Sequence, residues 1–261
     1  MIKYLSLVLL SNVLFLPSCD ALTVDWSVLN WPDGSESNSY TLGTSPSDGT
    51  VTFTIDEGNA NSSYSANSYI GAVPGDNTSV TLSGGTPGEE SLVIAANHVT
   101  SAGFIDITIS FDVPVYGVFF YIYDVDTWEG EWRDLVYDFT SENDGTSTGG
   151  PTLTPNGTDN QSTTFNGTTA VIGRNPPGGV GGDDDDIFNA NPNESGGNVF
   201  VDYGSTVITE LNFKWKNQDS AQNNQYIGIG ATFFTVVPEA SSILALLPLL
   251  AFAGSRRFRK R

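Results

Sequence analysis

Apolar and polar residues alternate with a period of two along much of the chain. Val51, Phe53 and Ile55 alternate with Thr50, Thr52 and Thr54; Ile105, Ile107, Ile109 and Phe111 alternate with Asp106, Thr108 and Ser110. Val207, Thr209, Leu211, Phe213 and Trp215 alternate with Thr206, Ile208, Glu210, Asn212 and Lys214. Each pattern predicts a strand with one buried face. Residues 115–123 are apolar on both faces and predict a central strand. Further strands are expected at 199–203, 206–215 and 225–237, with shorter ones near 162–173 and long loops elsewhere in 141–198. Clusters such as Pro32-Asp33-Gly34, Ser47-Asp48-Gly49 and Pro74-Gly75-Asp76 punctuate the strands as turns. The middle of the chain shows no helical period. About ten to twelve short strands predict an all-β fold, an antiparallel two-sheet sandwich of jelly-roll-like type, formed by one domain over residues 22–237. No repeat of fixed period is visible, which argues against a propeller or a solenoid.

The two ends follow a different pattern. Lys3, the apolar run Leu5 to Leu16 and the small residues Cys19 and Ala21 predict a secretory signal over residues 1–21, cleaved before Leu22. Leu16-Pro17-Ser18-Cys19 also resembles a bacterial lipobox, in which Cys19 would be kept and lipidated, so the two processing routes stay open. At the other end, the 16 residues from Ala240 to Ser255 carry no polar face. As a helix they would span roughly 24 Å. A bilayer core is about 30 Å thick, so a C-terminal transmembrane helix here would rely on its flanks to reach the interface. Five of the ten basic residues stand in the last six positions, the placement expected of a cytoplasmic end.

Pro238-Glu239, the apolar segment and the arginine-rich terminus together resemble the PEP-CTERM sorting signal of bacterial envelope proteins. The resemblance covers residues 238–261 and implies recognition and cleavage near Pro238 and Glu239 by an exosortase, a membrane-embedded cysteine protease. Arg256 and Arg257 fall on its basic end, and Ala240 stands where that motif usually has proline. The implied destination is the bacterial cell envelope: inner-membrane anchorage by the tail, then the cell surface or extracellular matrix.

Charge and composition narrow the function classes. Ten basic against 30 acidic residues give −20, which excludes a nucleic-acid partner, since that needs a basic face. One cysteine and one histidine exclude a Cys/His zinc cluster and a disulfide framework, and leave little for a His-dependent triad. Residues 22–237 hold 28 acidic side chains against four basic ones, Arg133, Arg174, Lys214 and Lys216. Such a charge suits a hydrated matrix, because it resists self-association and attracts divalent cations.

The segment Tyr123-Asp124-Val125-Asp126-Thr127-Trp128-Glu129, followed by Glu131-Trp132-Arg133-Asp134, concentrates the candidate chemistry. Asp124 and Asp126 would share a strand face and, with Asp134, are the candidate ligands of a calcium ion, which takes six to eight hard oxygens. Trp128 and Trp132 are candidates for stacking on a sugar ring. The spacing of Asp124, Asp126 and Glu129 also resembles the carboxylate signature of laminarinase-like β-glucanases, with Asp124 as nucleophile and Glu129 as acid/base. Against these stand plainer readings: turn-capping carboxylates, rim tryptophans, a solvated Asp183–Asp186 loop, a packing role for His98 and an amphipathic strand bearing Lys214 and Lys216. The six Asn-x-Ser/Thr sequons, at Asn61, Asn77, Asn156, Asn160, Asn166 and Asn193, are common in so polar a chain. The favoured expectation is an exported, non-enzymatic envelope or matrix protein that associates with exopolysaccharide. A calcium-assisted carbohydrate-binding module is the alternative, and a glycan-cleaving enzyme stands third.

Overall fold

A computed structural model describes residues 21–43, 49–64, 74–75, 90–128, 132–156, 160–173, 195–219 and 224–238. Among them are sixteen strands and no helix: β1 (Ala21–Val24), β2 (Ser37–Thr41), β3 (Thr50–Asp56), β4 (Ser62–Tyr64), β5 (Leu92–His98), β6 (Ile105–Tyr123), β7 (Thr127–Trp128) and β8 (Trp132–Asn143). There follow β9 (Thr146–Ser147), β10 (Thr152–Asn156), β11 (Asn160–Phe165), β12 (Thr168–Gly173), β13 (Asn198–Asp202), β14 (Ile208–Asn217), β15 (Asn224–Ile229) and β16 (Thr232–Val236). The count exceeds the ten to twelve expected, because 141–198 adds β9 and β10 and because 225–237 divides in two. Gly230 makes that division. Its N–H reaches the Tyr121 carbonyl at 2.9 Å, its own carbonyl accepts from Trp26 Nε1 at 3.1 Å, and a Cβ there would run into the Tyr123 ring.

The fold is all-β, antiparallel and sandwich-like, and β6 is its spine. The main path of hydrogen-bonded neighbours runs β11-β12-β8-β14-β6-β15-β5-β4. The first half of β6 pairs with β3 on one edge and β14 on the other, from Val51↔Phe111 to Trp215↔Ile105. Its second half pairs with β13, β15 and β16 instead. Between the halves lie Pro114 and Gly117, the latter at φ 65°; proline and left-handed glycine suit the place where a strand exchanges one set of partners for another. One apolar core takes residues from both sets: Phe53, Ile55, Ile107, Ile109 and Phe213 pack with Ile94, Phe120, Ile122 and Ile227. Fully burying such side chains stabilises by about 1.5–3 kcal/mol each.

One strand is out of phase with its predicted face. Alternation from Val207 through Trp215 places Val207 and Thr209 inward with Leu211. The structure buries Ile208 instead, and the register with β6 shifts between Ile208 and Glu210. An extra residue in a period-two ladder turns everything before it to the other face, which the sequence pattern alone does not reveal.

The chain's contacts set Ala21–Val237 apart as one compact unit. β1 pairs with β16 from Ala21↔Thr235 to Val24↔Thr232, and Val237 still donates its N–H to the Pro114 carbonyl at 2.8 Å. Residues 1–20, including Cys19, and the apolar and arginine-rich stretches within 239–261 lie outside the described residues. Among those described, no helix is long and apolar enough to cross a membrane.

Candidate functional site

The candidate site forms where β6 ends. The strand stops at Tyr123, so Asp124 and Asp126 do not share a strand face, as the alternation had suggested; they belong to a short connection into β7. Asp124 adopts φ 66°, a left-handed conformation that aspartate tolerates better than most side chains. The connection is tied down by its backbone. Val125 donates to the Gly197 carbonyl at 2.9 Å, and the Asp126 carbonyl accepts from Asp134 N–H at 2.9 Å. β7 and β8 then form a hairpin with Thr127 opposite Arg133 and Trp128 opposite Trp132.

All three aspartates end up buried: Asp124 is 8% exposed, Asp126 2% and Asp134 1%. Asp134 Oδ1 accepts from the indole Nε1–H of buried Trp215 at 2.8 Å, and its Oδ2 faces the Asp126 N–H at 3.5 Å. Asp124 Oδ1 has no hydrogen-bond partner among the described residues. The ion pairs found among those residues, Arg133–Asp219 at 3.1 Å and Lys214–Asp138 at 3.3 Å, both point elsewhere. Lys216 is also engaged away from the cluster, donating to the Ser101 carbonyl at 3.1 Å and lying over the Phe165 ring. Burial first, and then the charge of Asp134, holds the Asp124 carboxyl well above the ordinary carboxylate range. Burial also raises Asp134, against the lowering effect of the hydrogen bonds from Trp215 and Asp126. Buried carboxylates need a compensating charge, a proton or hydrogen-bond donors.

Strands β11 and β12 close the other side. A Cβ on Gly173 would overlap the Asp126 carbonyl, so only glycine allows this approach. Asn160 stands directly opposite Gly173 in the ladder, and directly opposed residues of an antiparallel pair project to the same face. The Asn160 side chain therefore lies on the Asp126 side. It is 3% exposed, its Nδ2 donates to the Asn198 carbonyl at 2.9 Å, and its Oδ1 has no partner among the described residues. Sequence reading named Asn160 only as a sequon. A strand Asn facing inward beside a glycine was the available signal, but it means nothing until the register is known.

The remaining candidates divide. Asp124, Asp126 and Asp134 are brought together, yet among the described residues no three His, Cys, Asp or Glu side chains form a group able by themselves to hold a metal ion. Trp128 and Trp132 are cross-strand partners at the hairpin. Glu129 and Glu131, and with them the acid/base of the glucanase-like reading, lie outside the described residues, as do Asp183–Asp186, Glu239, Ala240, Arg256 and Arg257. Pro238 follows directly on the unit that ends at Val237. His98 is fully buried, with Nδ1 2.9 Å from Ser62 Oγ and its ring set edge-on against Trp215 at 4.9 Å. Comparison of the chain with protein-family models, curated proteins and solved structures gives no match.

Proposed function

We propose that this chain is an exported, non-enzymatic protein of the bacterial envelope or extracellular matrix, whose β domain is a passenger handled by its C-terminal tail. One observation carries the reading furthest: β1 and β16 lie side by side, and the compact unit begins at Ala21 and ends at Val237. A signal-peptidase cut before Leu22 would cost the sheet a single terminal residue, and a cut near Pro238 and Glu239 would cost it none. In this reading the sandwich is jelly-roll-like and residues 240–255 form one transmembrane helix. An exosortase-type protease then recognises Pro238, Glu239 and the Arg256–Arg257 end, and the passenger passes to the surface or to exopolysaccharide. The excess of acidic over basic side chains keeps it hydrated and dispersed.

Fractionation of cells expressing the full chain, with intact mass of the released protein, tests this. A released species starting near Leu22 and ending near Glu239 is expected, and deletion of Arg256–Arg261 should shift protein between the retained and released fractions. Unchanged fractionation, with the tail still present on the released protein, would refute the reading. A second reading, a carbohydrate-binding module, draws support from the cross-strand pairing of Trp128 and Trp132 two residues before Asp134.

A further inference from the structure

We propose that Asp124, Asp134 and Asn160, with main-chain oxygen from the Asp124–Asp126 connection, form a calcium site that fastens the end of β6 to β8, β11 and β12. The proposal stands on the passenger domain alone and is independent of how the tail is sorted. Three observations point to a cation. Asp124, two residues before the Asp126 carbonyl that accepts from the Asp134 N–H, and Asp134 itself are both more than nine-tenths buried, where neither described ion pair reaches them. The Asp124 Oδ1 acceptor is left over in the same place, more than nine-tenths buried. The third observation is independent of the carboxylates. Asn160, on strands that arrive from elsewhere in the sheet, is itself more than nine-tenths buried. It projects to the face on which Gly173 meets the Asp126 carbonyl, uses its amide N–H on the Asn198 carbonyl and keeps an Oδ1 without a partner among the described residues.

An oxygen left over on a neutral amide takes up no proton of its own. It is relieved by a donor or a cation. A set made of carboxylate, amide and backbone oxygens, irregular and contributed by several loops and strands, suits calcium, with its flexible coordination by six to eight oxygens. Magnesium demands near-ideal octahedral geometry and gives up its waters reluctantly, so it fits such a set poorly. The same set explains why the chain tolerates a left-handed aspartate at position 124: the strained turn aims the carboxylate, and the ion compensates its burial.

The test uses the full-length chain stripped with chelator. Terbium, which replaces calcium and emits when an indole close by is excited, should bind once per chain and light up through Trp215, the residue that donates to Asp134. Calcium should displace it, and saturating calcium (about a hundred times the dissociation constant) should raise Tm by about 5–10 °C. Asp124→Asn keeps the left-handed turn, because asparagine also tolerates that conformation, and removes one charge. It should be more stable than the wild type in chelator, less stable in calcium, and bind calcium at least about tenfold more weakly. Asn160→Ala gives a second, uncharged probe and should also weaken calcium binding. Absence of terbium emission and of a Tm shift would overturn the proposal. So would a calcium response of the wild type that Asp124→Asn and Asn160→Ala leave unchanged, or an equal response to magnesium at the same concentration.

Discussion

His98 shows how a single residue acquires its character from the fold. In the sequence it is one histidine without a partner; in the structure it is sealed in the core, hydrogen-bonded to Ser62 and packed on Trp215. Burial, and then the charge of Lys216, lowers its pKa to about 4. The folded protein therefore resists a proton that the unfolded chain accepts from about pH 6.5 downward. His98 costs no stability above that pH, and its penalty grows as pH falls through the window down to about 4. The raised carboxyls of Asp124 and Asp134 act in the opposite sense, gaining protons more readily in the folded state, so the comparison must be with a variant. Relative to His98→Gln, the wild type should lose about 3 kcal/mol between pH 7 and pH 4. Urea melts of both proteins at three pH values check this, and parallel profiles would show that His98 is not buried neutral. The same contrast governs the candidate site. Asp124, Asp126 and Asp134 were legible as a group because they are close in sequence. Asn160 and Trp215 were not, because they arrive through strand register.

Glycines mark where elements approach closely. Gly173 closes β12 against the Asp126 carbonyl, whereas Gly167, in the turn between β11 and β12, faces open space at φ 81°. Gly173→Ala should therefore cost about 2–4 kcal/mol through backbone displacement. Gly167→Ala should cost only about 1 kcal/mol, for left-handed strain alone. Equal losses on thermal or chemical unfolding would mean that the Gly173 approach is not a constraint. Period-two alternation made β3, the first half of β6 and the end of β14 legible, whereas β1, β2, β4, β5 and β8 were not singled out. Within the expected strands, the errors fall where alternation is interrupted: the bulge after Ile208 and the break at Gly230. Each depends on a neighbouring strand or ring, and the local sequence carries no trace of that neighbour.

At the scale of the molecule, the domain is closed by its own termini. β1 lies against β16, and Trp26 reaches across to the Gly230 carbonyl. A chain truncated after Val237 should melt within about 2 °C of the full-length protein, since it loses no described strand. A chain truncated before Thr232 loses β16 with its buried Phe234, exposes both β1 and the second half of β6, and should fail to fold cooperatively. Circular dichroism melts of the two truncations separate these outcomes. A large destabilisation by the first would show that residues 238–261 belong to the folded unit, and would weigh against a tail built to be removed.

The sequence by itself determined the class of secondary structure and the position of much of the core, because alternation is a local property of the backbone pleat. It also determined the acidity of the domain and the chemical contrast between its middle and its ends, which are matters of composition and order. Only the tertiary structure decided which oxygens meet. Asp126 and Asp134 come together through a hairpin, Asn160 comes to the Asp126 side through a glycine contact between strands, and Trp215 reaches Asp134 from 81 residues away. The reason is geometric: a side chain's face can be read from its neighbours in sequence, but its company depends on register, bulges and the meeting of strands far apart in the chain.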